Sequence, residues 1–227
     1  MSADSGSRMD PRRGADLYSP FILSLYDVGV HGVSNTFAWK CPTSDLVALH
    51  DANVSARHMD IGVGTGFFLD RCRFPAPDPA IALVDLNENT LRFASDRIRR
   101  YRPKTYVANV LEPFTAGGEV FGSIGMTYLL HCLPGDLRSK AVVFRNIRPM
   151  LAEGGVVFGA TILGRGVPRN ALAEGLLRAY NKRGIFSNRE DSEEGLREAL
   201  EGHFDRVSIT VRGMVAIFTA RGAQRDR

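Results

Sequence analysis

Asp60 lies at the end of a short apolar run. Three alternating glycines, Gly62, Gly64 and Gly66, follow it. Glycine has no Cβ, so this backbone can turn tightly and its N–H groups can approach a ligand closely. A dinucleotide-binding loop, G-x-G-x-x-G, needs its third glycine one place later, where this chain has Phe67. A carboxylate at the strand end suits an ammonium group better than a pyrophosphate. The spacing therefore predicts a nucleotide-cradling loop for a ligand other than a dinucleotide.

Asp85 is a second acid, and it is placed to bind a sugar. It ends the strand-like run 80–84 and lies nineteen residues beyond Gly66. A carboxylate there can accept hydrogen bonds from both ribose hydroxyls of either a nicotinamide or an adenosyl cofactor. Leu86 follows and is placed to lie on the adenine face, while residues 87–100 predict an amphipathic helix. These elements predict one complete β-α-β unit.

The same motifs resemble those of the class I S-adenosylmethionine-dependent methyltransferases, from about Ala56 to Ala220. The Asp60 loop looks like the first motif of that family, Asp85 like its ribose acid, and residues 106–110 like its third strand. Many members carry aspartate where this chain has Asn109, and an amide oxygen can still accept a hydrogen bond from the adenine amino group. The resemblance implies S-adenosyl-L-methionine as cofactor and S-adenosyl-L-homocysteine as product. It completes the cofactor-binding set with Leu86, Asn109, Val110 and Tyr128.

Residues 121–133 are similar to the fourth strand of the family and the turn that faces the methyl group, with Gly122 in place of the usual aspartate. His131 follows this strand, so it is the candidate for a general base or a residue that orients the acceptor. The alternative is that His131 packs or hydrogen-bonds beneath the cofactor. Alignment alone can contribute about 7–11 kcal/mol because the sulfonium already carries the reactive group, and a general base would add about 10²–10⁴-fold.

Two strand-like runs near the C-terminus, 204–211 and 214–220, are separated by Arg212 and Gly213 and predict a hairpin. With the preceding strands they predict an α/β fold, a Rossmann-like, doubly wound, mostly parallel seven-stranded sheet with a terminal antiparallel hairpin. A nicotinamide-dependent oxidoreductase is the rival interpretation. Both Phe67 and the terminal hairpin disfavour it.

Two segments rich in aromatic residues are expected to cover the acceptor. Residues 1–14 predict a disordered tail, 15–50 an N-terminal helical lid, and 51–222 a methyltransferase domain with a helical cover near 164–190. Packing against the sheet is an equal alternative for the lid. The candidates for the substrate pocket are Tyr18, Phe21, Tyr26, Trp39, Asn170, Tyr180 and Phe186.

Composition narrows the class of protein. The chain has 227 residues, 44% of them apolar, with no secretory leader and no apolar run of transmembrane length, so one cytoplasmic enzyme domain is expected. Cys41, Cys72 and Cys132 lack metal-ligand spacing, which favours reduced thiols and no metal. The net charge of +4 is dispersed or in the tails, which argues against nucleic-acid and membrane partners. A monomer or homodimer is expected.

The predicted activity is methyl transfer to an O or N atom of a small, aromatic or heterocyclic metabolite of secondary metabolism. Aromatic residues in both covering segments favour such an acceptor over a protein or RNA. Two alternatives stay open: methylation of a carbon on an electron-rich ring, and a noncatalytic module that binds S-adenosylmethionine.

Overall fold

A computed structural model describes residues 34–223 of the chain. Seven strands in this range form one sheet in the order β3-β2-β1-β4-β5-β7-β6. Five pair in parallel, and β7 runs antiparallel to both β5 and β6, which confirms the predicted fold class. The strands are β1 (Arg57–Ile61), β2 (Ala80–Asp85), β3 (Lys104–Val107), β4 (Phe121–Thr127), β5 (Leu151–Ile162), β6 (Phe204–Arg212) and β7 (Val215–Ala223).

Helices precede β1 and connect the parallel strands, except between β3 and β4, and two more precede the terminal hairpin. They are α1 (Thr43–Asn53), α2 (Phe67–Arg71), α3 (Glu88–Arg97), α4 (Leu137–Lys140), α5 (Val142–Ile147), α6 (Ala171–Lys182) and α7 (Glu193–Glu201). Short 3-10 turns cover 99–101, 130–132 and 148–150, and a π-helical turn covers 34–38. Within residues 34–223, no helix has the length and apolar content that a bilayer crossing requires.

One strand boundary differs from the predictions. The third strand was expected at 106–110, but β3 is Lys104–Val107, because the chain turns at Asn109, whose side-chain oxygen accepts from the Leu111 N–H. β4 ends at Thr127, and the turn expected after it begins at Tyr128, which takes a left-handed conformation. Pro42 precedes α1 without a side-chain cap.

The side chains of β1, an interior strand of the sheet, alternate between its two faces. Met59 and Ile61 pack into the main core with residues of β2 and β4. His58 and Asp60 alternate with them and are buried on the opposite side. The Nδ1 atom of His58 lies 2.8 Å from the Ser123 hydroxyl of β4. The sheet therefore brings a buried carboxylate to the end of β1, directly before the glycine loop.

Candidate active site

The glycine loop follows β1, and all three glycines are left-handed, with φ of 69°, 51° and 72° for Gly62, Gly64 and Gly66. A Cβ at Gly62 would lie 2.8 Å from Leu129 Cδ1, and one at Gly66 would lie 3.2 Å from the backbone of Ala94. Packing therefore keeps both residues small. A Cβ at Gly64 meets no atom within 4 Å. The middle of the loop thus borders open space that a ligand can occupy.

The loop is held in place by its neighbours. The Gly62 N–H donates to the Val84 carbonyl of β2 at 2.8 Å. Arg97, at the end of α3, donates to the Thr65 carbonyl at 3.0 Å and to the Thr65 hydroxyl at 2.8 Å. These bonds fix both sides of the turn, so the loop is preorganised for binding.

Asp85 ends β2, directly beside the loop. Its Oδ1 accepts from the Asn87 N–H at 2.9 Å, and the amides of Leu86 and Val63 also stabilise its charged form. Burial outweighs these bonds and raises the pKa of Asp85 to about 6. A carboxylate in this state gains from further hydrogen-bond donors, and the two hydroxyls of a ribose are donors of that kind.

Asp60 is 7% exposed, and its Oδ1 has no hydrogen-bond partner among residues 34–223. His58 Nε2 lies 3.8 Å from that oxygen. A buried acceptor without a donor is costly, so the site favours a ligand that carries an ammonium group.

Three other predicted cofactor residues, Leu86, Asn109 and Val110, differ in their exposure and hydrogen bonding. Leu86 is half-buried beside Asp85. Asn109 lies beyond β3, where its Oδ1 accepts from Leu111 and its Nδ2 donates to Glu112 at 3.0 Å. One lone pair of Oδ1 is therefore still able to accept. The Val110 side chain is 6% exposed and belongs to the main core.

Tyr128 follows β4, but its hydroxyl is used within the protein. It donates to Asn35 Oδ1 at 2.9 Å. Burial raises the pKa of Tyr128 well above its usual value, so the phenol keeps its proton. The hydroxyl of Tyr128, a residue predicted to bind the cofactor, thus holds the turn against residues N-terminal to α1.

His131 lies in the 3-10 turn after β4 and is 2% exposed. Its Nδ1 accepts from the Ile162 N–H at 3.3 Å, which leaves the proton of the neutral ring on Nε2. Burial, together with the charge of Lys140, lowers the pKa of His131 to about 3. The ring is therefore neutral and weakly basic near pH 7.

Aromatic rings connect this turn to the predicted cover. The His131 ring centroid lies 4.4 Å from that of Phe186 and 5.5 Å from that of Tyr128, both edge-on. Tyr180, on α6, lies 4.9 Å from Phe186. These four rings bring β4, α6 and the segment after α6 together at one end of the sheet.

Two other predicted pocket residues, Trp39 and Asn170, have structural roles. Trp39 is 1% exposed and packs in the core. Asn170 caps α6, because its side chain accepts from the Ala173 N–H at 2.8 Å and donates to the Phe37 carbonyl at 2.8 Å. The remaining three, Tyr18, Phe21 and Tyr26, lie outside the described residues.

The three cysteines are free thiols. Burial raises the pKa of Cys41, Cys72 and Cys132 to about 12, so each is protonated and unreactive near neutral pH. Nucleophilic catalysis by cysteine therefore has no support.

A buried ion pair was missed by the sequence analysis. Lys140 Nζ lies 2.6 Å from Asp191 Oδ2 and donates to the Ser187 carbonyl at 2.6 Å. The Ser187 N–H in turn donates to the His131 carbonyl at 2.8 Å. The pair therefore fastens the segment that carries Phe186 to the turn that carries His131. No local motif marks these partners in the sequence.

Comparison with known proteins gives the family. A methyltransferase domain model matches residues 59–157. Demethylluteothin O-methyltransferase of Streptomyces thioluteus is 41% identical over 203 residues, which is 89% of this chain and 88% of that protein. The physcion biosynthesis cluster O-methyltransferase of Aspergillus chevalieri is 40% identical over 211 residues, 92% of this chain and 94% of that protein. The chain belongs to the class I S-adenosylmethionine-dependent methyltransferases.

A solved structure shares the fold of this methyltransferase. The N-methyltransferase NodS of Bradyrhizobium japonicum WM9, crystallised with S-adenosylhomocysteine, aligns with a TM-score of 0.58 at 13% identity. The alignment covers 89% of this chain and 97% of NodS. The methyltransferase uses S-adenosylmethionine as its methyl donor. Three features fit that cofactor: the open space at Gly64, the Asp60 oxygen that has no hydrogen-bond donor within residues 34–223, and the half-buried carboxylate of Asp85.

Proposed function

We propose that this methyltransferase transfers a methyl group to a hydroxyl oxygen of a small aromatic or heterocyclic metabolite. The observation that carries the proposal is the 40–41% identity, over most of the chain, to two proteins named as O-methyltransferases. One of them is named for physcion biosynthesis and the other for demethylluteothin. The aromatic rings around His131 support a flat acceptor, because such rings stack on or pack edge-on against one another.

The cofactor-binding roles follow from the hydrogen-bond-accepting oxygens and from the open space beside Gly64. Asp85 accepts from the ribose hydroxyls, Asp60 from the ammonium group, and Asn109 from the adenine amino group. Leu86 lies along the adenine, and the Gly64 backbone leaves room for the ligand. When bound, S-adenosylmethionine supplies a methyl group on a positively charged sulfur.

On the acceptor side, His131 orients the acceptor oxygen through its Nε2–H, and the hydroxyl proton passes to solvent water and not to His131. A ring whose pKa is about 3 holds a proton too weakly to act as an efficient base near pH 7. Phe186 and Tyr180 form the apolar wall. The chain thus accelerates transfer chiefly by alignment, for which about 7–11 kcal/mol is available.

The proposal is tested with matched acceptors. Purified enzyme is incubated with S-adenosylmethionine whose methyl group is deuterated, and with phenols, their amine analogues and electron-rich rings lacking both groups. We expect one deuterated methyl group to be added to the phenols, and NMR to place it on oxygen. Methylation confined to amines or ring carbons would refute oxygen as the acceptor atom.

His131→Ala should lower turnover at saturating acceptor about 10–100-fold, because one hydrogen bond to the reacting oxygen is worth about 1–3 kcal/mol. Affinity for S-adenosylmethionine, measured by calorimetry, should stay within twofold. His131→Gln places an N–H donor near the position of Nε2 and should recover part of the loss. The matched control is His203→Ala, which removes a ring that contacts Phe144.

The pH profile separates the two roles of His131. An orienting role predicts parallel turnover profiles for the wild type and His131→Ala between pH 6 and 9, because the ring is neutral throughout. A limb that is present in the wild-type profile and missing from that of the variant would instead identify a base.

A further inference from the structure

Tyr128 has an unusual backbone conformation. Its φ is +66°, in the left-handed region of backbone conformation. Residues other than glycine, asparagine and aspartate rarely adopt that conformation. Its N–H donates to the Ala160 carbonyl of β5 at 2.7 Å, which fixes the start of the turn after β4. A bulky residue persists in such a conformation only when surrounding contacts hold it there.

The contact that holds the side chain is a buried amide. Tyr128 Oη donates to Asn35 Oδ1 at 2.9 Å, and Asn35 Nδ2 lies 3.0 Å from the Thr43 hydroxyl of α1. Asn35 is fully buried. Loss of the phenol hydroxyl would leave Asn35 Oδ1 without this donor in a place that water does not reach, so the bond matters more than an exposed one.

Asn35 belongs to residues 34–41, here called the docking segment. The segment is also held by the hairpin, where Met214 N–H donates to the Trp39 carbonyl at 2.8 Å, and by Asn170 through the Phe37 carbonyl. Tyr128 joins it to a different element, the turn that carries His131. The two ring centroids in that turn lie 5.5 Å apart, edge-on.

We propose that Tyr128 is a positioning residue, whose hydrogen bond to Asn35 couples docking of residues 34–41 to the placement of His131. The inference rests on the proposed role of His131 in orienting the acceptor. With the bond made, the docking segment holds Tyr128 in its left-handed conformation, and the Tyr128 ring holds one edge of His131. With the bond lost, the segment and the turn both become freer to move.

Trp39 allows a test that needs neither cofactor nor acceptor. It is the single tryptophan of the chain, it lies in the docking segment, and it is 1% exposed. Tyr128→Phe removes one hydroxyl and keeps the ring. We expect acrylamide quenching of Trp39 fluorescence to rise at least about threefold. The Trp39 and Cys41 amides, which donate to Ser34 and Asn35, should exchange with deuterium about tenfold faster.

The control is Tyr180→Phe. Tyr180, like Tyr128, packs against the apolar cluster that contains Trp39. Within residues 34–223, none of the hydrogen bonds of Tyr180 involves its hydroxyl. Loss of the Tyr180 hydroxyl should leave the quenching of Trp39 and the exchange of the Trp39 and Cys41 amides unchanged. A double variant, Tyr128→Phe with Asn35→Ala, should show no more quenching than Asn35→Ala alone, because the two side chains act through one bond.

The His131 ring resonances report the coupling itself. They should shift in Tyr128→Phe and not in Tyr180→Phe, and turnover at saturating acceptor should fall while S-adenosylmethionine affinity is kept. Unchanged Trp39 quenching and exchange in Tyr128→Phe would overturn the proposal, as would His131 resonances that do not move. Methylation on nitrogen together with the expected Trp39 and His131 changes would refute the proposed function alone.

Discussion

Asparagine in place of Asp85 is expected to raise the melting temperature of the ligand-free enzyme and to weaken S-adenosylmethionine binding at least about 30-fold, since hydrogen bonds to a charged acceptor contribute roughly 1.5–3 kcal/mol each. Burial raises the pKa of Asp85 to about 6, so its charged form is disfavoured in the folded protein. Asparagine keeps an oxygen for the Asn87 N–H and carries no charge. It loses the second oxygen, which the ribose diol needs.

The stability gain depends on pH in a defined direction. The folded pKa of Asp85 lies above the ordinary value of 3.8, so the folded protein binds more protons and loses stability as the pH rises from about 4 to about 6. The full penalty, up to about 3 kcal/mol, is present above that window. Asp85→Asn should therefore be more stable than the wild type at pH 7 and nearly equal to it at pH 4.

The affinity for S-adenosylmethionine should rise with pH, whereas the stability of the ligand-free protein falls. Affinity of the wild type should fall as the pH drops through about 6, because a protonated Asp85 accepts fewer hydrogen bonds from ribose. Binding at pH 6 should also release protons, measured by calorimetry in two buffers with different ionisation enthalpies. Asp85→Asn should show neither effect, and the exposed Asp78→Asn is the matched control. A variant with lower stability and unchanged affinity would contradict the assignment.

The fold and the positions of Asp60, the glycine loop and Asp85 were predictable because their signals are local. Asp60, the glycine loop and Asp85 lie at the ends of neighbouring parallel strands, and each is recognised within a few residues of sequence. The hairpin likewise followed from two strand-like runs on either side of Gly213. The third strand was misplaced because its apolar run continues past the end of β3, while the Asn109 side chain makes the turn that ends pairing.

The acceptor side was less predictable because its contacts join distant parts of the chain. Tyr128 and Asn35 are 93 positions apart, and Lys140 and Asp191 are 51 apart. No spacing rule connects such pairs. Burial also decides the chemistry of His131, since the same residue at an exposed position would titrate near neutrality.

Lys140→Met is expected to lower the free energy of unfolding by about 3–5 kcal/mol, because removing one member of a buried ion pair leaves the other charged and unpaired. Both side chains are 1% exposed. Asp191 Oδ1 has no partner among residues 34–223 even in the wild type, so the variant leaves neither oxygen of that carboxylate bonded to a cation. Thermal unfolding should show a fall in melting temperature of roughly 6–20 °C.

A second substitution shows that the unpaired charge, and not lost packing, is the cause. Lys140→Met combined with Asp191→Leu replaces the pair by apolar side chains and should recover most of the lost stability. Arg102→Ala breaks an exposed pair of similar length, 2.7 Å from Asp78, and should change stability by at most about 1 kcal/mol. Equal losses in the single and double variants would show that the pair acts mainly through packing. Because Lys140 also fixes Ser187 beside His131, the double variant should regain stability without regaining full turnover.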